Sequence, residues 1–318
     1  MKQMVYEQYL NEWKNISDSV LTVGKKLSME IFMDSKPKKP ILSKVNKLPY
    51  LTGNFTFSVD ECFPKINERY ADTFGIDKLN VTYVLYLVDD IQRYHTLSSE
   101  GGDVANASSS DFQNKSITIV SGIIGGYMIP DYMETIMHEL NHLYEYAHGR
   151  EKKVNLYDAA VNLIKNGNTD DEKNIGRLIY MTFPHEIDAF VHQFYGFLLQ
   201  NRPDGSFDEL IDYTMYKNMN YLMGLVDVKS FDSELGKTVN ELGLTWKSFK
   251  KRTTFALKKL KRKLFNAYKR YRMEYGNKNM TVESFFKRDM SEMNLLDEYR
   301  NVIRKSSMVL SQFMKFNN

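Results

Sequence analysis

Asp131 to Gly149 reads DYMETIMHELNHLYEYAHG and contains His138-Glu139-Leu140-Asn141-His142. The stretch is predicted to be a helix. Asp131 with Glu134 three residues on makes a capping box, Pro130 precedes it, and Gly149 offers a C-terminal stop. Met133, Ile136, Met137, Leu140, Leu143 and Ala147 recur at helical spacing and define a core-facing stripe. Residues four apart lie one turn above each other, about 40° apart around the axis. His138 and His142 can therefore offer two imidazoles to one tetrahedral metal from a single rigid element. Glu139, next to that pair, is placed to take a proton from a metal-bound water. The competing reading makes His138, Asn141, His142 and Glu145 the solvated face of an amphipathic helix. That reading suffices for a lone histidine. Two histidines with an adjoining glutamate, on a capped helix after a strand-like segment, favour a metal centre.

Composition sets the outer bounds. With 318 residues, 42% apolar and 26% charged, the chain has the make-up of an ordinary globular protein with a sizeable core. The single cysteine, Cys62, excludes an intrachain disulfide and any cysteine-rich zinc site, so a metal must use histidine and carboxylate. The polar, amphipathic opening MKQMVYEQYLNEW lacks the apolar core of a signal peptide, and no run of ~20 apolar residues suggests a membrane span. A cytoplasmic or virion-associated location is the expectation.

Working outward toward the N-terminus, Lys115 to Val120 (KSITIV) reads as a strand leading into Gly122, Gly125 and Gly126. Ser98 to Asn114 reads as a polar loop. Asn80 to Val88 (NVTYVLYLV) is a buried strand, Glu61 to Phe74 a candidate helix, and Asn54 to Val59 a short alternating strand. Ser35 to Pro49, rich in Pro and Lys, reads as a linker, and residues 1–33 as one or two helices with Val5, Tyr9, Leu10 and Trp13 at helical spacing. Beyond Gly149 the chain is mostly helical: Val154 to Ile164, Asp170 to Met181, and a helix with Pro184 in its first turn that runs to about Gln200. Residues 201–205 form a break. The remainder reads as helices punctuated at Gly224, Gly236, Gly243 and Gly276.

A catalytic metal site needs a third protein ligand. His148 is ten residues after His138, but Glu145 stands where a glycine would have to turn the chain. On a continuing helix His148 lies about 80° round from His138 and some 15 Å up the axis, out of reach. Pro184-His185-Glu186-Ile187-Asp188-Ala189-Phe190-Val191-His192 holds better candidates, Glu186 first and His185 second, with Asp188 and His192 on the same stripe. A glutamate in a first helical turn is also favoured by the helix dipole without any metal. Glu145, one turn past His142, either orients an imidazole or is solvated.

HELNHLYEY followed by PHEIDAF resembles the zincin metallopeptidases of the gluzincin type, with two helical histidines and a downstream glutamate. It is also similar to peptidases encoded by tailed bacteriophages. The resemblance covers about Asn80 to Gln200. It implies Zn2+ held by His138, His142 and Glu186, with Glu139 as general base in the hydrolysis of peptide bonds by a metal-activated water. It further implies an endopeptidase acting on a protein or peptide substrate, with Tyr180, His185 and His192 as candidates for oxyanion stabilisation. An edge strand beside the metal helix could pair with an extended peptide. The implied fold is α+β. Residues 1–49 are a helical segment and linker, 50–200 a zincin-like catalytic domain with a small mixed sheet and an active-site helix, and 205–318 a helical domain.

Trp246 to Glu274 (WKSFKKRTTFALKKLKRKLFNAYKRYRME) carries twelve Lys and Arg against one acidic residue, in a chain whose net charge is only +3. Phe249, Leu257, Leu260, Leu264, Tyr268 and Tyr271 form its apolar stripe. The readings are a docked helix with a solvated basic face, a contact with nucleic acid or another anionic surface, and a membrane-surface helix. A rival for the whole chain follows: a non-catalytic, virion-associated or nucleic-acid-binding protein using this helix, with a structural or vestigial metal site.

Overall fold

The computed structural model describes residues 16–44, 48–63, 74–89, 108–124, 127–129, 132–150, 155–201, 206–213 and 234–275. The fold is mixed α and β, and its contacts divide it into a unit that carries the sheet and a helical unit. The described residues of the sheet unit lie in 17–148, 192–201 and 271–275. Those of the helical unit are residue 16 and residues 149–150, 155–191, 206–213 and 234–270.

In the sheet unit, β1 (Ile41–Leu42), β2 (Pro49–Ser58), β3 (Lys78–Val88), β4 (Ser109–Asp111), β5 (Ser116–Ile124) and β6 (Tyr127–Met128) form one sheet. Its order is β1-β2-β3-β5-β4, with β6 also paired to β5. The central pair β3 and β5 is parallel, in register from Asn80↔Ser116 to Val88↔Ile124, and the other pairs are antiparallel. This position explains the near-continuous apolar run of β3: Tyr83 and Leu85 are fully buried with their neighbours, as a strand covered on both faces requires. Both strands are longer than their sequence patterns suggest. Two further strands arise inside segments that read as linker and loop. Ile41–Leu42 pairs with β2 and Ser109–Asp111 pairs with β5. At the start of the helix expected over Glu61 to Phe74 the chain forms a 3-10 turn, Asp60–Cys62, and Phe63 is extended; residues 64–73 lie outside the described residues. Cys62 is a free, buried thiol.

Among the described residues, two whole helices belong to this unit, α1 (Asp18–Ser35) and α2 (Tyr132–Ala147). Ser17 caps α1 by accepting from the Val20 amide. Tyr83 on β3 donates to Asp34 at 2.7 Å, tying the last turn of α1 to the sheet. Helix α2 carries the His-Glu pair and packs on α1, β5 and β4. Met133, Ile136, Met137, Leu140 and Leu143 are buried, as their spacing predicts. Gly149, at φ +65°, adopts the left-handed conformation that ends the helix. Pro130 and Asp131, and with them the capping box, lie outside the described residues.

The helical unit contains α3 (Asn155–Asn166), α4 (Asp170–Tyr180), α6 (Phe207–Tyr213), α7 (Glu234–Glu241) and most of α8 (Trp246–Tyr275). Between α4 and α6 lies α5 (Pro184–Asn201), one unbroken helix whose first eight residues belong to this unit and whose later residues belong to the sheet unit. Thr169 and Glu172 form a reciprocal capping box on α4. Gly236 does not punctuate the chain: it sits inside α7, because one helical glycine costs only about 1 kcal/mol against alanine. Gly243, at φ +72°, does end that segment, while Gly224, Gly276 and the break at 202–205 lie outside the described residues.

Candidate metal centre

Helix phase on α2 does what the spacing requires. The Nε2 atoms of His138 and His142 lie 3.1 Å apart, with the two rings edge to face. Two donors on one four-coordinate ion of Zn2+ size would be roughly 3.3 Å apart, so the pair is already spaced for shared coordination. One carboxylate oxygen of Glu186 joins them, and the three donor atoms lie within 4.8 Å of one another. Among the described residues no other such group of His, Cys, Asp and Glu occurs.

The orientation of His138 is fixed by a residue that sequence reasoning missed. Gln193 on α5 lies between Glu134 and His138: its amide nitrogen donates to Glu134 Oε2 at 3.4 Å, and its Oε1 is 3.0 Å from His138 Nδ1. A carboxylate only accepts, so the amide nitrogen faces Glu134 and the amide oxygen faces the ring. His138 therefore holds its proton on Nδ1 and turns the Nε2 lone pair toward His142. Burial, with a smaller contribution from His192, brings the pKa of His138 down to about 4, although the Gln193 bond works against this. The imidazole is thus neutral near pH 7, the form that binds metal.

Several contacts within the sheet unit hold α5 against α2 where Gln193 acts. A Cβ on Gly196 would sit 2.7 Å from the Met133 carbonyl oxygen, so only glycine allows this approach of backbones. Gln200 accepts from the Met133 amide at 2.8 Å and donates to the Ile129 carbonyl at 2.6 Å. It thereby satisfies one of the first-turn N–H groups that α2 cannot pair internally. Glu186 is seven residues, two turns, before Gln193 on the same helix, hence on the same face.

Glu186 is fully buried, which its position in a first helical turn does not explain. Tyr157 on α3 donates to its Oε1 at 2.9 Å, and Tyr180 hydrogen-bonds it as well. The Tyr180 hydroxyl is held protonated, first by burial and then by the Glu186 charge. His185, buried beside Tyr157 and Phe183, places Nε2 3.5 Å from Glu186 Oε1, and burial lowers its pKa. His185 therefore borders Glu186 and is not part of the donor group.

Glu139 is partly buried, and burial pushes its pKa up to about 7 against the opposing effect of a hydrogen bond to Ser110 on β4. A carboxyl that ionises near neutrality, one residue from His138, suits reversible proton transfer. Glu145 is buried, which removes the solvated reading. His192 accepts from the Ser17 amide at 2.9 Å, so its Nε2 is engaged at the start of α1. Asp188 pairs with Lys263. His148, at the end of α2, bonds the Tyr144 carbonyl at 2.8 Å and stands outside the donor group.

Gln193 could have been found by following the phase of α5 from Glu186. Tyr157 and Ser110 carry no local signal, because their relation to the site is made only by the tertiary fold. No family model matches the chain, and no curated protein or solved structure matches it.

Proposed function

We propose that the chain is a zinc-dependent metallopeptidase with His138, His142 and Glu186 as ligands and Glu139 as general base. The observation that carries this reading is the convergence of three donor atoms within 4.8 Å, with Glu139 on the same helix turn as two of them. Two imidazoles and one carboxylate suit zinc and leave a coordination position open for chemistry. Bound zinc would supply Lewis acidity, polarising a carbonyl and lowering the pKa of water. The chain's own residues supply the rest. Gln193 fixes the tautomer of His138, Tyr157 and Tyr180 restrain the Glu186 carboxylate, and Glu139 accepts a proton and returns it to the leaving amine.

A peptide substrate is favoured by the sheet. Among the described residues strand β4 ends the strand order, and its Ser110 is hydrogen-bonded to Glu139, so the edge of the described sheet lies beside the base. Purified protein is expected to contain about one zinc per chain, and His138→Ala to lose it. Glu139→Gln should keep the zinc and lose peptide hydrolysis. A metal-replete Glu139→Gln variant that cleaves as fast as the parent would remove the base assignment and leave a structural metal.

A further inference from the structure

Helix α8 separates its two faces cleanly. Phe249, Ala256, Leu257, Leu260, Leu264 and Ala267 are buried and form its apolar face. Within the helical unit Arg252 donates to Thr182 at 2.7 Å and Lys263 pairs with Asp188, so two of its cations are used structurally. The opposite face is different. Lys247, Lys251, Lys258, Lys261 and Arg262 are exposed there, at successive spacings of four, seven, three and one residues that keep them on one side of the helix. They lie along roughly 20 Å of one straight helix. Among the described residues only Lys261 has an acidic neighbour, Asp208 at 4.0 Å, and both side chains are largely in solvent. In the middle of these cations stands Phe255, 71% exposed. Phe265, further along the same face, is partly held by Phe207 and by Lys269 over its ring.

We propose that this face of α8 docks the protein onto an anionic phospholipid bilayer. The cations would meet headgroup phosphates, and Phe255 would enter the interface. Charge complementarity selects an anionic partner, because five exposed cations, of which only Lys261 has an acidic neighbour among the described residues, form a positive stripe. The projecting aromatic selects among anionic partners. Phe255 projects into solvent among cations, and a bilayer presents a yielding apolar layer just beneath its charge for such a ring to enter. Lysine predominates over arginine, which suits diffuse charge attraction more than the bidentate reading of individual phosphates. The surface is independent of the proposed metal centre and would hold for a non-catalytic protein as well.

The test is co-sedimentation of the full chain with sucrose-loaded vesicles of phosphatidylcholine alone and with 30% phosphatidylserine. Binding is expected only to the anionic vesicles and should weaken as salt rises. Each cation removed from such a surface weakens partition roughly 5-fold, so K251Q/K258Q/R262Q should reduce it on the order of 100-fold. Phe255→Ala should reduce it about 10-fold at constant charge, the loss expected when an inserted apolar side chain is withdrawn. These are surface positions, and circular dichroism with unchanged metal content would show that the variants fold. Absence of anionic-vesicle binding overturns the proposal, and so does binding indifferent to the substitutions. Tighter binding to a single- or double-stranded oligonucleotide than to vesicles, lost in the same triple variant, overturns it in favour of a nucleic-acid surface.

Discussion

At Gln193 one amide determines the chemistry of an imidazole two helices away in sequence. Glu134 can only accept, so the amide oxygen must face His138, and the ring keeps its proton on Nδ1. Gln193→Leu removes that acceptor and leaves a buried N–H to satisfy. Zinc affinity, read by competition with a chromophoric chelator, should fall 10–100-fold, while Gln193→Glu, which keeps an acceptor, should fall much less. An affinity unchanged in Gln193→Leu would show that packing alone orients the ring. Glu139 gives a prediction of opposite character. Its carboxyl has a folded pKa raised from 4.5 to about 7 by burial, so the metal-free folded state holds a proton that the unfolded chain has lost. The effect is absent below about pH 4.5, grows up to about pH 7 and is then constant. Up to about 3 kcal/mol of stability is lost across that window, and Glu139→Gln should abolish that part of the pH dependence in urea titrations of the metal-free protein. The pattern of His138, Glu139 and His142 was legible in the sequence because i, i+4 geometry is local. Tyr157 and Ser110 were not, since nothing near them in sequence distinguishes them from any other polar residue, and Gln193 was readable only through its phase relative to Glu186 on the same helix.

Helices and strands were legible in proportion to how strongly their own residues bury. Helix α2 and strands β3 and β5 carry apolar patterns that packing on two sides enforces, and the sequence places all three. Strand β4, Ser109–Asp111, has no such pattern, because its pairing is decided by β5 rather than by its own side chains. The Pro/Lys-rich stretch hides β1 for the same reason. Helix α5 is the element on which the site turns, since it brings Gln193 and Gln200 to α2 and carries Glu186 two turns upstream. Gly196 is where this depends on the absence of a side chain. Its added Cβ would meet the carbonyl oxygen and carbon of Met133 at 2.7 and 2.9 Å, and backbone cannot rotate aside as a flexible side chain can. Alanine's better helix propensity, worth about 1 kcal/mol, works in the other direction. Overpacking against fixed backbone typically costs 1–3 kcal/mol and sometimes more. Gly196→Ala should therefore destabilise by about 1–2 kcal/mol in urea unfolding and weaken zinc binding by displacing Gln193. A stabilised Gly196→Ala variant would show that α5 stands off from α2 by more than the packing here requires.

For the whole molecule, a metal held at the proposed centre would make stability depend on a ligand. His142 and Glu186 are 44 residues apart in sequence, and the unfolded chain cannot hold all three donors at one point. An ion that binds only the folded state adds RT ln(1 + [L]/Kd), about 4 kcal/mol when free zinc is 1,000 times Kd. In a chain of 318 residues that shifts the midpoint by only several degrees, because unfolding entropy grows with length and divides the same free energy more finely. Calorimetry of the zinc-loaded protein should thus show a transition that falls by several degrees on chelation and recovers when zinc is restored. His138→Ala should melt near the chelated parent's temperature, or lower where the lost ring leaves a void, and show no response to chelator. Glu139→Gln should still respond, since it removes no ligand. This contrast separates the two roles assigned on one helix turn: loss of the chelator response in Glu139→Gln would make that carboxylate a ligand, and an undiminished response in His138→Ala would place the metal elsewhere.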